Sequence, residues 1–121
     1  MLIYHIATAE SWKAALEAGE YRTSTLGMSI ADVGFLHASF PAQILDVAEK
    51  FYAEVTEPLL LLAIDTDRLT APLLAEDAPG TDMAFPHIYG PLNVDAVVEA
   101  LGFERDAPSG RFALPAGVVT G

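Results

Sequence analysis

Leu59-Leu60-Leu61-Leu62-Ala63-Ile64-Asp65 is the stretch that decides the fold. Both strand faces are apolar, so it reads as a central strand covered on both sides. The longest apolar run, Pro58 to Ile64, falls far short of the roughly 20 residues that cross a bilayer. Asp65-Thr66-Asp67-Arg68 then closes the strand in a turn. Toward the N-terminus, Leu2 to Ile6 is a second strand rich in β-formers. Thr8 caps a helix from Ala9 to Ala18, with Trp12, Ala15 and Leu16 facing inward and Gly19 as its stop. Tyr21 to Leu26 is a short strand or an ordered loop. Gly34 to Ala38 is another short strand, with Ser39 as N-cap and Pro41 in the first turn of a helix reaching Ala53. Ile44, Ala48, Phe51, Tyr52 and Val55 give that helix its apolar face.

Toward the C-terminus, Leu73 to Glu76 is a strand ending in acid, and Asp77 to Ala84 is an exposed loop. Phe85 to Tyr89 is extended, although Pro86 argues against a regular central position. Asn93 caps a last helix, Val94 to Leu101, stopped by Gly102. Arg111 to Leu114 is a closing strand. Short strands alternating irregularly with helices predict an α+β fold: a single compact domain, 1–121, with a mixed or antiparallel sheet and two or three helices. The 121 residues suit one core, and a hydrophobic share of 52% lets burial offset chain entropy. No dinucleotide-type glycine motif or phosphate-loop lysine is present.

Composition narrows the function. Seventeen Asp and Glu against six Lys and Arg give a net charge of −11. A phosphate backbone needs cations to displace its counterions, so no nucleic acid is expected as partner. Anionic membranes are disfavoured for the same reason. The expected partner is a small-molecule ligand; oligomeric state is left open. With no cysteine, disulfides, thiol nucleophiles and thiolate metal sites are excluded. Met1-Leu2-Ile3-Tyr4-His5 lacks the basic and long apolar regions of a secretory signal, so a cytoplasmic location is expected.

Three histidines stand in unusual contexts: Ile3-Tyr4-His5, Gly34-Phe35-Leu36-His37-Ala38-Ser39, and Phe85-Pro86-His87-Ile88-Tyr89-Gly90-Pro91-Leu92. His5 lies in a strand, where it is either a satisfied core residue or a pocket wall. As a pocket residue it contributes little packing, so His5→Ala would cost only about 1 kcal/mol. His37 and Ser39 share a strand face. The surroundings of Ser39 lack the Gly-x-Ser-x-Gly elbow of many serine hydrolases. Two prolines and a glycine hold the backbone around His87 and Tyr89, which suits either ligand binding or local hydrogen bonding. Glu76 ends a strand, where a carboxylate can act as a base. Three histidines with Glu76 could ligate a metal, but the i, i+4 spacing of common zinc sites is missing, and no metal is expected.

Taken in order, these three motifs with Tyr21-Arg22, Leu61 to Asp65 and Glu76 resemble the domain-of-unknown-function family 952, small proteins of bacteria and plants. The resemblance runs to about Leu101. Tyr4-His5 followed by His37-Ala38-Ser39 is also similar, more distantly, to segments of the ADP-ribosyltransferases. That similarity implies an ADP-ribosyltransferase-like fold and an NAD or nucleotide-like pocket. In it, His5 would hold the nicotinamide ribose and Glu76 would assist transfer as the second catalytic residue. The cofactor would be bordered by Tyr4, His37, Ser39 and His87. Arg22 would meet a phosphate or carboxylate, and Phe35 or Tyr89 would stack on a ring. Ala7 departs from the glycine of the first motif, although Thr8 is nearby. A binding module without turnover, and a metal-dependent enzyme, are the competing readings.

Overall fold

The computed structural model describes residues 1–25, 28–77, 83–106, 108–115 and 118. In chain order the elements are β1 (Leu2–Thr8), α1 (Ala9–Ala18), β2 (Glu20–Tyr21), β3 (Thr23–Thr25), β4 (Met28–Ser29) and α2 (Ile30–Val33). They continue with β5 (Leu36–His37), α3 (Ile44–Phe51), β6 (Leu59–Asp65), β7 (Leu73–Asp77), β8 (Ala84–Ile88), β9 (Leu92–Asn93) and β10 (Val97–Phe103). Every described strand pairing is antiparallel. The result is a small α+β domain of antiparallel sheets and helices.

β6 is central, as its two apolar faces require: it lies between β1 and β10. Leu62 and Ile64 join one buried cluster with Ile3, Trp12, Leu36 and Ile88. Leu59, Leu61 and Ala63 join another with Tyr4, Ile44, Ala48 and Phe103. Thus α1 and the second sheet (order β5-β8-β7) cover one face, and α3 covers the other. The two sheets meet where Tyr4 and Ser39 exchange backbone bonds, Tyr4 N–H to Ser39 O at 2.9 Å and Ser39 N–H to Tyr4 O at 2.7 Å.

Several expectations are corrected. α1 has the expected bounds, the Thr8 cap and the Gly19 stop, the latter in the left-handed region at φ 86°. Leu16, however, is exposed. The helix meets the core along the narrow line of Trp12 and Ala15, and Leu16 lies beyond its edge. Ser39 is not an N-cap, because its backbone is engaged with Tyr4. A 3₁₀ turn, Pro41–Gln43, comes first, with Gln43 accepting from the Phe40 N–H at 3.0 Å, and α3 follows. That helix ends at Phe51, which is exposed; Tyr52 and Val55 lie beyond it.

Pro86 occupies the middle strand of the second sheet after all. Its carbonyl accepts from Ala38 N–H at 3.0 Å. N–H and C=O of one residue in an antiparallel strand point the same way, so the missing N–H faces the side where two-residue β5 has already ended. The last expected helix is instead a 3₁₀ turn, Val94–Ala96, followed by β10. Arg111 to Leu114 contributes only the isolated bridge Arg105–Phe112. Of the expected exposed loop, Asp77 and Ala84 belong to strands, Met83 is described, and 78–82 lie outside the described residues, as does Leu26. Among the described residues no helix is long and apolar enough to cross a membrane.

Candidate functional site

His5 projects from the centre of β1 into the junction of the sheets and is 3% exposed. Its Nδ1 lies 2.6 Å from the His37 carbonyl oxygen. A carbonyl only accepts, so Nδ1 carries the proton and Nε2 is the acceptor. The Tyr21 hydroxyl, 3.1 Å away, therefore donates to Nε2. Burial lowers the imidazole pKa to about 4, which keeps the ring neutral at pH 7. Both nitrogens are engaged inside the protein. The ribose contact implied for His5 would require Tyr21 to give up its bond.

The second sheet has two unlike faces. Strand alternation turns Leu36 and Ile88 to the core and sets His37 opposite His87 on the other face, with Phe85 two residues along. The two imidazole centroids are 5.7 Å apart. Phe35 stacks on His87 at 4.0 Å, and Phe85 lies 5.2 Å from His37. Glu76 pairs with Phe85 in register and reaches the same face. Its Oε1 is 3.0 Å from His87 Nδ1 and also accepts from the Tyr89 hydroxyl. Those two donors, Tyr89 first, hold the Glu76 carboxyl below the usual carboxylate range, and Glu76 in turn raises the Tyr89 phenol. Since the carboxylate accepts from Nδ1, the acceptor nitrogen of His87 is Nε2.

His37 joins the two neighbourhoods. Its N–H donates to Ser24 Oγ at 3.1 Å, and its carbonyl accepts from His5. Neither nitrogen of its ring has a hydrogen-bond partner among the described residues. Burial, then the neighbouring His87, lowers its pKa to about 4. Behind it is a chamber of about 10 Å³ bordered by Tyr4, His5, Ser24, His37, Ser39 and Tyr52. That is room for about one water. Burial, with Glu99 adding, raises the Tyr4 phenol.

The structure thus brings Tyr4, His5, His37 and Ser39 together at the sheet junction, and Phe35, Glu76, His87 and Tyr89 along the adjoining face. Arg22 is not among them. Its Nε pairs with Glu20 at 2.5 Å, and its side chain is 66% exposed. Of the quoted pair Tyr21-Arg22, the tyrosine reaches the site, through His5. Strand alternation was the available signal: Tyr21 and Arg22 must face opposite ways. Ser24 and Tyr52 were also missed, being ordinary in sequence. Among the described residues no group of three or more His, Cys, Asp or Glu is placed to hold a metal ion.

The fold recurs in solved structures. The crystal structure of protein CC0527 from Caulobacter crescentus is similar at 32% identity, over 94% of this chain and 95% of that one, with a TM-score of 0.80. Its solution NMR structure is similar at 34% identity, over 88% of each chain, with a TM-score of 0.71. The family model described as "Protein of unknown function (DUF952)" matches residues 6–100, and the chain belongs to that family. No curated protein sequence matches it.

Proposed function

We propose that the chain binds a small organic molecule with a planar ring, NAD or another nucleotide in class, on the His37–His87 face. The observation supporting this is the bonded set Tyr89–Glu76–His87 beside Phe35. Glu76 fixes the tautomer of His87, with the proton on Nδ1 and the free lone pair on Nε2. Nε2 then accepts a proton or a hydrogen bond from a ligand hydroxyl. Phe35 and Tyr89 offer ring faces for stacking. In the NAD reading, His87 takes the ribose contact in place of the enclosed His5. Glu76 supplies the negative charge that favours a cationic ribosyl transition state.

The test is isothermal titration of NAD and ADP-ribose into the parent and into Glu76→Gln. The parent is expected to bind, and Glu76→Gln to bind about tenfold more weakly at an unchanged unfolding midpoint. Failure of both ligands on the parent, or equal binding by the variant, would remove the reading. A second reading, binding without turnover, is favoured by the 40% exposure of the Glu76 side chain, which leaves water in reach. Release of free nicotinamide from NAD separates the two.

A further inference from the structure

A second recess opens beside Tyr21, whose hydroxyl bonds His5. It is a cleft of about 370 Å³ where the start of α1 faces β3. That size is within the range of small-ligand pockets. Tyr21, Ser24 and Tyr52 form its buried end, and Glu10 and Glu57, both exposed, stand at its open end. Ile6, Ser24 and Tyr52 also border the small chamber, so cleft and chamber meet at those side chains.

The two parts differ in chemistry. The chamber carries no ionised group. Ser39 is 4% exposed, borders it, and its hydroxyl has no hydrogen-bond partner among the described residues. The unbonded ring of His37 borders it too. Ser24 accepts from the His37 N–H and keeps its own hydrogen to donate. Uncharged donors and acceptors around space for one water fit a hydroxyl group. At the open end, the ionisable residues are two carboxylates, and no Lys, Arg or His lines the cleft among the described residues. Burial raises both tyrosines, Tyr52 to about 12, so they stay neutral and present ring faces. Carboxylates beside aromatic faces attract a cation.

We infer that the cleft is a binding site for a small hydroxylated amine, its hydroxyl entering the chamber at Ser39 and its ammonium held by Glu57 and Glu10. The site shares the His37 ring with the proposed ligand face, but it uses neither Glu76 nor His87 and does not depend on the NAD reading.

The probe is glucosamine, titrated into the full chain at about pH 6, where its amine is protonated, with glucose as the uncharged analogue. Amide NMR shifts report the location. Glucosamine is expected to give saturable shifts at Thr23 and Ser24, and glucose to bind about tenfold more weakly. Glu57→Gln, an exposed change that spares the fold, should erase most of that difference, and Ser39→Ala should weaken both ligands alike. Equal binding of the two sugars to the parent, shifts scattered over the acidic surface, or a chamber that holds only water and gives no saturable response would overturn the inference.

Discussion

His5 is held at both nitrogens, and this changes what its removal does. Alanine would leave the His37 carbonyl and the Tyr21 hydroxyl without the partner that each has in His5. A buried polar group stripped of its partner costs about 1–3 kcal/mol. His5→Ala should therefore destabilise by about 3 kcal/mol in urea unfolding, against the 1 kcal/mol expected of a pocket residue. A loss under about 1 kcal/mol would show that water replaces the ring without penalty. The candidate site was legible in sequence to the extent that scarce polar side chains must group when buried. His37 and His87 stand in register, and Glu76 meets His87. The exchange of Arg22 for Tyr21 was readable from strand alternation. The bond from Ser24 to the backbone of His37 was not, because it joins residues with no shared motif.

At the scale of elements, β6 was legible because a strand apolar on both faces admits no edge position. That same fact held an unused signal. A central strand has two edges to fill, and β1 fills one. Val97 to Phe103 fills the other, pairing from Val97–Ile64 to Phe103–Leu59. Asn93 and Gly102 imitate a helix cap and stop, but the ladder outweighs the weak helix propensity of Val97 and Val98. Leu61 gives the sharpest test of β6. It is 0% exposed in the cluster beneath α3. Leu61→Ala should cost roughly 2–5 kcal/mol with an unchanged denaturant slope. A smaller loss would mean that α3 settles into the cavity, visible as shifted amide resonances of Ile44 and Ala48.

For the molecule as a whole, two pH effects oppose each other. The net charge of −11 repels itself, and protonating carboxylates as pH falls relieves that repulsion. His5, buried, and His37, half-buried, act the other way. His5 and His37 have folded pKa values near 4, both below the ordinary value of 6.5. Below pH 6.5 the unfolded chain binds protons that the folded chain refuses, so stability falls as pH falls and levels off below about pH 4. Each histidine contributes a slope of up to about 1.4 kcal/mol per pH unit inside that window. Salt separates the two effects, because surface repulsion is screened and the desolvation of an enclosed imidazole is not. Urea midpoints measured between pH 7 and 4 in about 0.5 M salt should decline steadily. Imidazole resonances of His5 and His37 should not move until near pH 4. Flat midpoints through that window, or either imidazole titrating near 6.5, would mean that water reaches the rings and that the sheet junction is open at neutral pH.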